Sequence, residues 1–119
     1  MEDVLYREQI LAHYRRPRHY GLREDFDVEA IQENPTCGDT VTVRLKFSGA
    51  FVADVCFENE GCVLSGAAGS MTSDHVIGKT KDYVAAMAVE DVLRLLNVPI
   101  TPGRVKCATL FLDAVKKVL

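Results

Sequence analysis

A chain of 119 residues with a net charge of −3 has room for one packed domain and no global attraction to nucleic acid or to an anionic membrane. Hydrophobic residues at 48% and charged residues at 26% are ordinary for a globular protein with a core of its own. No apolar run approaches the roughly 18 residues of a membrane span, and no charged-then-apolar signal segment opens the chain. With four cysteines and no export signal, reduced thiols in a cytoplasmic compartment are expected, not a disulfide framework.

In chain order, residues 4–14 put Val4, Leu5, Ile10, Leu11 and Tyr14 near one helical stripe, with Asp3 as the N-cap. Arg16-Pro17 ends that helix, because the residue before a proline disfavours the helical region. A polar stretch follows over residues 21–33, in which Val28 and Ala30 suggest a short edge strand. Residues 40–47 alternate, with Val41, Val43, Leu45 and Phe47 facing one way and Thr42, Arg44 and Lys46 the other. After Ser48-Gly49-Ala50 the alternation resumes with Phe51, Ala53, Val55 and Phe57 inward. Two such runs across a serine–glycine turn predict an antiparallel hairpin with one buried face.

Beyond Gly61-Cys62 the period becomes helical, with Leu64, Ala67, Ala68 and Met71 in a run of small residues that favours close packing on the sheet, closed by Gly78. A third helix is expected over residues 81–96, burying Val84, Met87, Ala88, Val92 and Leu95. Residues 98–103, with Pro99 and Pro102, form the last turn. The final helix, 105–118, turns Ala108, Phe111, Leu112 and Val115 inward. The fold class that follows is α+β: a small antiparallel β-sheet with helices packed on one face.

Three cysteines occupy junctions between these elements. Cys37 precedes a strand in Asn34-Pro35-Thr36-Cys37-Gly38-Asp39, Cys62 stands where the hairpin gives way to a helix, and Cys107 opens the last helix. Helix N-termini offer unpaired backbone N–H groups and a partial positive charge that favour a thiolate. Gly38 can take backbone conformations closed to other residues and so turn Cys37 and Asp39 toward one centre. Three soft sulfurs and one hard carboxylate oxygen would hold zinc or iron while leaving one position able to exchange. The spacing contains no CxxC pair, which argues against a zinc finger or a thioredoxin-type centre. By spacing alone, shared ligation and buried free cysteines acting as small hydrophobes both remain open.

Neighbouring residues have two readings each. Cys56, in the second hairpin strand, is expected to be a bystander. His75 lies about 20 Å along a helix from Cys62 at the usual rise, too far to share a metal. His13 and His19 flank Arg15-Arg16-Pro17-Arg18, a segment that suits either an acidic partner surface or a solvated helix end. Lys106 either stabilises thiolate or persulfide on adjacent sulfurs or is an exposed first-turn lysine.

Read together, several stretches of this chain resemble the U-type iron–sulfur scaffold family, the NifU, IscU and SufU group. They are Leu5-Tyr6-Arg7, His13-Tyr14, Pro17-Arg18 with Gly21, the motif from Asn34 to Asp39, Phe57-Glu58 with Gly61-Cys62, Ser70-Met71-Thr72, Gly78-Lys79, and Arg104-Val105-Lys106-Cys107-Ala108-Thr109-Leu110. The resemblance implies one NifU N-terminal-like domain over residues 1–119, with Cys37, Asp39, Cys62 and Cys107 as the ligands. It implies a scaffold that takes persulfide sulfur from a cysteine desulfurase, assembles a [2Fe–2S] cluster from iron and sulfur, or holds Zn2+ in the same site, and passes its cargo to apo iron–sulfur acceptor proteins. Cys37 and Cys107 are then candidate persulfide acceptors and Lys106 a modulator.

Two departures bear on the subtype. Lys106 stands where IscU-type members carry histidine, as in SufU-type members, yet the chain is too compact between Gly78 and Arg104 for the SufU insertion. Residues 100–104 read Ile-Thr-Pro-Gly-Arg where IscU types carry Leu-Pro-Pro-Val-Lys, so the resemblance does not extend to an Hsp70-type chaperone partner. A non-enzymatic scaffold and a SufU-like zinc-dependent sulfurtransferase are the two functions left. A purely structural zinc domain is the weaker third, since this much apolar patterning folds without metal.

Overall fold

The computed structural model describes residues 8–35 and 38–119. A three-stranded antiparallel sheet is ordered β1 (Val28–Asn34), β2 (Asp39–Ser48), β3 (Phe51–Glu60). Of the helices α1 (Glu8–Arg15), α2 (Val63–Val76), α3 (Lys81–Ala85), α4 (Val89–Leu96) and α5 (Val105–Lys116), α2 and α5 pack against the sheet, and α1 and α4 pack on those two helices. The inward row of β2, Val41, Val43 and Leu45, joins Ala30, Val52, Val55 and Phe57 in one core with Leu64, Ala68, Phe111, Leu112 and Val115. Phe57 meets Phe111 edge to face at 5.3 Å, the favoured arrangement of two ring quadrupoles. The expected α+β class and hairpin are present, and β1 is the edge strand suggested by Val28 and Ala30. Among the described residues no helix is long and apolar enough to cross a membrane.

The small residues of α2 bring its backbone onto β3. A Cβ added at Gly69 would lie 2.9 Å from Phe57 Cε2, inside van der Waals contact, so only glycine lets the helix rest on that ring. α2 in turn carries α1, through the buried Ile10 and through polar contacts at Ser70. The Arg18 backbone N–H donates to Ser70 Oγ at 2.7 Å, and Ser70 Oγ lies 2.7 Å from His13 Nδ1. With its lone pair taken by Arg18, the hydroxyl proton is available to a neutral imidazole.

The structure corrects four expectations. Tyr14 is exposed, not on the buried stripe with Ile10, while Asp3, Val4 and Leu5 lie outside the described residues. Phe51 and Ala53 face outward and Val52 inward. The cause is a bulge, since β2 and β3 change register between Lys46 and Phe47, with Lys46 opposite Asp54 and Phe47 opposite Val52. One extra residue reverses the alternation beyond it. The helix expected over 81–96 is two helices. Ala88 is extended at φ −120°, and the Asp91 carboxylate accepts its N–H at 2.7 Å, which starts a new helix and leaves Ala88 exposed. Lys116 Nζ satisfies the Met87 carbonyl at the break, at 2.6 Å. Lastly, Pro102–Arg104 form one 3-10 turn leading directly into α5.

Two outcomes follow. Gly69→Ala should cost about 1–3 kcal/mol, read as a lowered urea midpoint with unchanged slope. His13 is held below its ordinary pKa of 6.5, first by burial and then by Arg18, with Asp74 opposing. The unfolded chain therefore takes up the proton first as pH falls below 6.5. Stability is full above that value and declines through the window beneath it, and His13→Gln should flatten the decline in urea titrations at successive pH values.

Candidate metal centre

The end of the sheet nearest the starts of α2 and α5 gathers the chemistry. Asp39 is the first residue of β2 and shares the inward row of Val41, Val43 and Leu45, so its side chain is buried beneath the helices with 4% exposure. It sits opposite Asn34 in the ladder. Gly38, whose N–H donates to the Asn34 carbonyl at 2.8 Å, closes the β1–β2 connection at φ +76°, a conformation open to glycine at little cost. Cys37 lies outside the described residues.

At the far side of the hairpin, β3 ends at Glu60 and Gly61 leads into Cys62, the extended N-cap of α2. A Cβ at Gly61 would stand 2.6 Å from Asp39 Cγ and 2.8 Å from Ser65 Oγ. The missing side chain is what allows the carboxylate to approach the start of α2. Cys107 arrives from the first turn of α5, buried, where Asn34 Nδ2 donates to its Sγ at 3.9 Å.

The outcome is a cluster: one ligand atom each of Asp39, Cys62 and Cys107 lies within 4.8 Å of the other two. Cys62 Sγ is 3.8 Å from Asp39 Oδ2. Metal distances of about 2.3 Å to sulfur and about 2.1 Å to oxygen put two such atoms about 3.6 Å apart at a tetrahedral angle, so the donors fit around a zinc or iron ion. They open on a cavity of about 730 Å³ whose wall and rim include Gly103, Arg104 and Lys106. Lys106 is exposed at this wall, in reach of the cavity, and the divergent segment 100–104 supplies part of the rim.

The other candidates lie elsewhere. His13 bonds Ser70, His19 pairs with Asp74 at 3.2 Å, and His75 meets the Tyr83 hydroxyl at 3.1 Å. Cys56 is buried and accepts the Arg23 backbone N–H at 3.3 Å, on the sheet face opposite the inward row. Arg18 is paired with Asp74 at 3.6 Å. Two residues at the site went unassigned from sequence. Asn34 was visible by extending the alternation of Val28 and Ala30 to Gln32 and Asn34, whereas the part played by Gly61 had no local signal. Gly61→Ala should push the Asp39 carboxylate off Cys62 and weaken Zn2+ binding about tenfold, measured by chelator competition on the folded variant.

Comparison with known proteins agrees with this geometry. The sequence matches the NifU-like N terminal domain over residues 5–119. It is 35% identical to the zinc-dependent sulfurtransferase SufU of Bacillus subtilis (strain 168), covering 97% of this chain and 89% of that protein. It is 34% identical to the iron–sulfur cluster assembly scaffold protein IscU of Streptococcus pyogenes serotype M1, over 97% and 82%. These alignments run over 132 and 133 positions, more than the whole of this chain, so both relatives carry residues it lacks. The fold superposes on a nitrogen-fixing NifU-like protein (N-terminal) from Brucella abortus with a TM-score of 0.78 at 28% identity, over 97% of this chain and 92% of that one. With a buried carboxylate and two cysteines converging at a cavity, and the match running nearly end to end, the chain belongs to the NifU-like N-terminal domain family of U-type scaffolds.

Proposed function

We propose that this chain is an iron–sulfur cluster assembly scaffold, a single cytoplasmic domain that takes sulfur from a cysteine desulfurase. On this reading it builds a labile [2Fe–2S] cluster as its cargo on Cys37, Asp39, Cys62 and Cys107 and gives it up to apo-proteins. The observation that carries the reading is the convergence of Asp39, Cys62 and Cys107 at an open cavity. A structural metal site would be closed over; this one faces outward, as cargo that must arrive and leave requires. In sulfur delivery a thiolate from this chain, Cys37 or Cys107, attacks the outer sulfur of the donor's persulfide, whose S–S bond breaks to return the donor thiolate; an external electron donor then reduces that sulfur to the sulfide of the cluster. The hard oxygen of Asp39 among soft sulfurs makes one iron position exchangeable.

A second reading, a zinc-dependent sulfurtransferase, is favoured by one observation: Lys106 stands on the cavity wall beside Cys107, where a cation suits thiolate or persulfide. Zinc would then be held by the same four residues and would keep their thiols deprotonated. Anaerobic mixing with a cysteine desulfurase, cysteine, ferrous iron and a dithiol reductant separates the two. A sulfide-to-iron charge-transfer spectrum that moves to apo-ferredoxin is expected of the scaffold. A colourless protein that keeps its zinc yet accelerates the desulfurase would instead identify the sulfurtransferase. Asp39→Ala lowers equilibrium affinity by removing a ligand, yet should slow cluster transfer because release begins at the exchangeable oxygen position; unchanged or faster transfer would refute the role given to Asp39.

A further inference from the structure

The sheet face turned away from the helices is crossed by residues 21–27, which lead into β1. Two backbone bonds anchor this segment. The Gly21 N–H donates to the Phe57 carbonyl on β3, and the Asp27 N–H donates to the Leu45 carbonyl on β2, each at 2.8 Å. Between the anchors the chain passes over Cys56 and Arg44, which stand opposite each other in the ladder. The Arg23 N–H donates to Cys56 Sγ at 3.3 Å. Arg44 Nη1 donates to the Arg23 carbonyl at 2.9 Å, and its guanidinium lies 4.4 Å from the centre of the Phe26 ring. Two ion pairs complete the fastening, Arg23 with Asp54, and Lys46 Nζ with Asp25 Oδ1 at 2.8 Å.

These fastenings are mostly charge. Residues 23–26 are exposed and Leu22 is only half-buried, so the segment commits little apolar surface to the fold. The Asp25 side chain is 81% exposed, and pairs of this kind contribute little singly and weaken with salt. The thiol beneath is nevertheless buried, at 3% exposure, on the face that the helices leave open. Gly21, at φ +100°, gives one anchor a residue able to pivot. We propose that residues 22–26 are a strap latched by charge over Cys56, opening between its two anchors while the sheet stays folded. Closed, it keeps a thiol outside the metal centre from reacting with disulfides, persulfides and oxidants; open, it presents that thiol to solution. No residue of the strap lines the thiol cavity, so the latch is independent of whether that cavity carries cargo.

The test treats the full chain with N-ethylmaleimide and follows Cys56 by mass spectrometry. Cleavage at Glu58 and Glu60 parts it from Cys62, and each rate is divided by that of glutathione in the same buffer. At low salt Cys56 should react about a hundredfold more slowly than glutathione. At high salt its relative rate should rise about fivefold. Arg23→Gln and Asp25→Asn should each speed labelling at low salt about threefold, and together remove most of the salt effect. Urea below the unfolding transition should change the rate little, because so small an opening exposes little surface. A rate unmoved by salt and by both variants would overturn the latch. A urea dependence as steep as that of global unfolding would also overturn it, by showing that Cys56 reacts only from the unfolded chain. Labelling as fast as that of glutathione at low salt would show that the strap is no cover. The salt and urea series on the wild-type protein decides the matter even if a variant folds poorly.

Discussion

A carboxylate ends an otherwise apolar row. Asp39, Val41, Val43 and Leu45 alternate onto one face of β2 and are all buried, so the fold that buries three aliphatic side chains also buries a potential charge. Such a group is costly unless it has a partner, and the surroundings of Asp39 are arranged to supply one. Gly38 turns the chain into the strand, Gly61 leaves room for the carboxylate, and Cys62 starts α2 with its sulfur 3.8 Å away. Cys107 comes in from α5 because Phe111, Leu112 and Val115 on the same helix are committed to the core. The site is therefore placed by ordinary hydrophobic packing, with chemistry at the end of the packed layer.

On the proposed reading, this placement reconciles holding cargo with releasing it. The sulfurs of Cys62 and Cys107 lie at helix starts, where backbone dipoles favour negative charge, while the Asp39 carboxylate is at the start of a strand. Arg104 and Lys106 are among the residues lining the cavity, where cations can offset the charge of a loaded site. The buried frame beneath packs Gly69 against Phe57 and Phe57 against Phe111.

Much of the fold was legible in the sequence wherever periodicity was unbroken. The hairpin, the edge strand, α2 and α5 follow from spacing alone. Phe51 and Ala53 were misassigned because a bulge adds one residue without any glycine or proline to signal it. The break at Ala88 was hidden for a similar reason: the segment reads as good helix throughout, and a carboxylate three residues on, Asp91, starts the second helix. Tyr14 lies on a predicted stripe that the tertiary structure leaves uncovered at that point. At the site, junction positions singled out Cys62 and Cys107, and Gly38 was marked as a turn. That Asp39 and these two sulfurs meet is a long-range fact that no local pattern carries, and before folding it rested on the family resemblance. Gly61 shows the limit well: its importance lies in the distance to a residue on another strand.

The central claim is that packing brings a hard oxygen and soft sulfurs to one exchangeable centre. X-ray absorption at the zinc edge of the Zn2+-loaded protein tests it most directly. The account predicts three sulfur scatterers at about 2.3 Å and one oxygen at about 2.0–2.2 Å, with the oxygen lost from the shell in Asp39→Ala. A four-sulfur shell, which would require Cys56, or a shell containing imidazole nitrogen would contradict it.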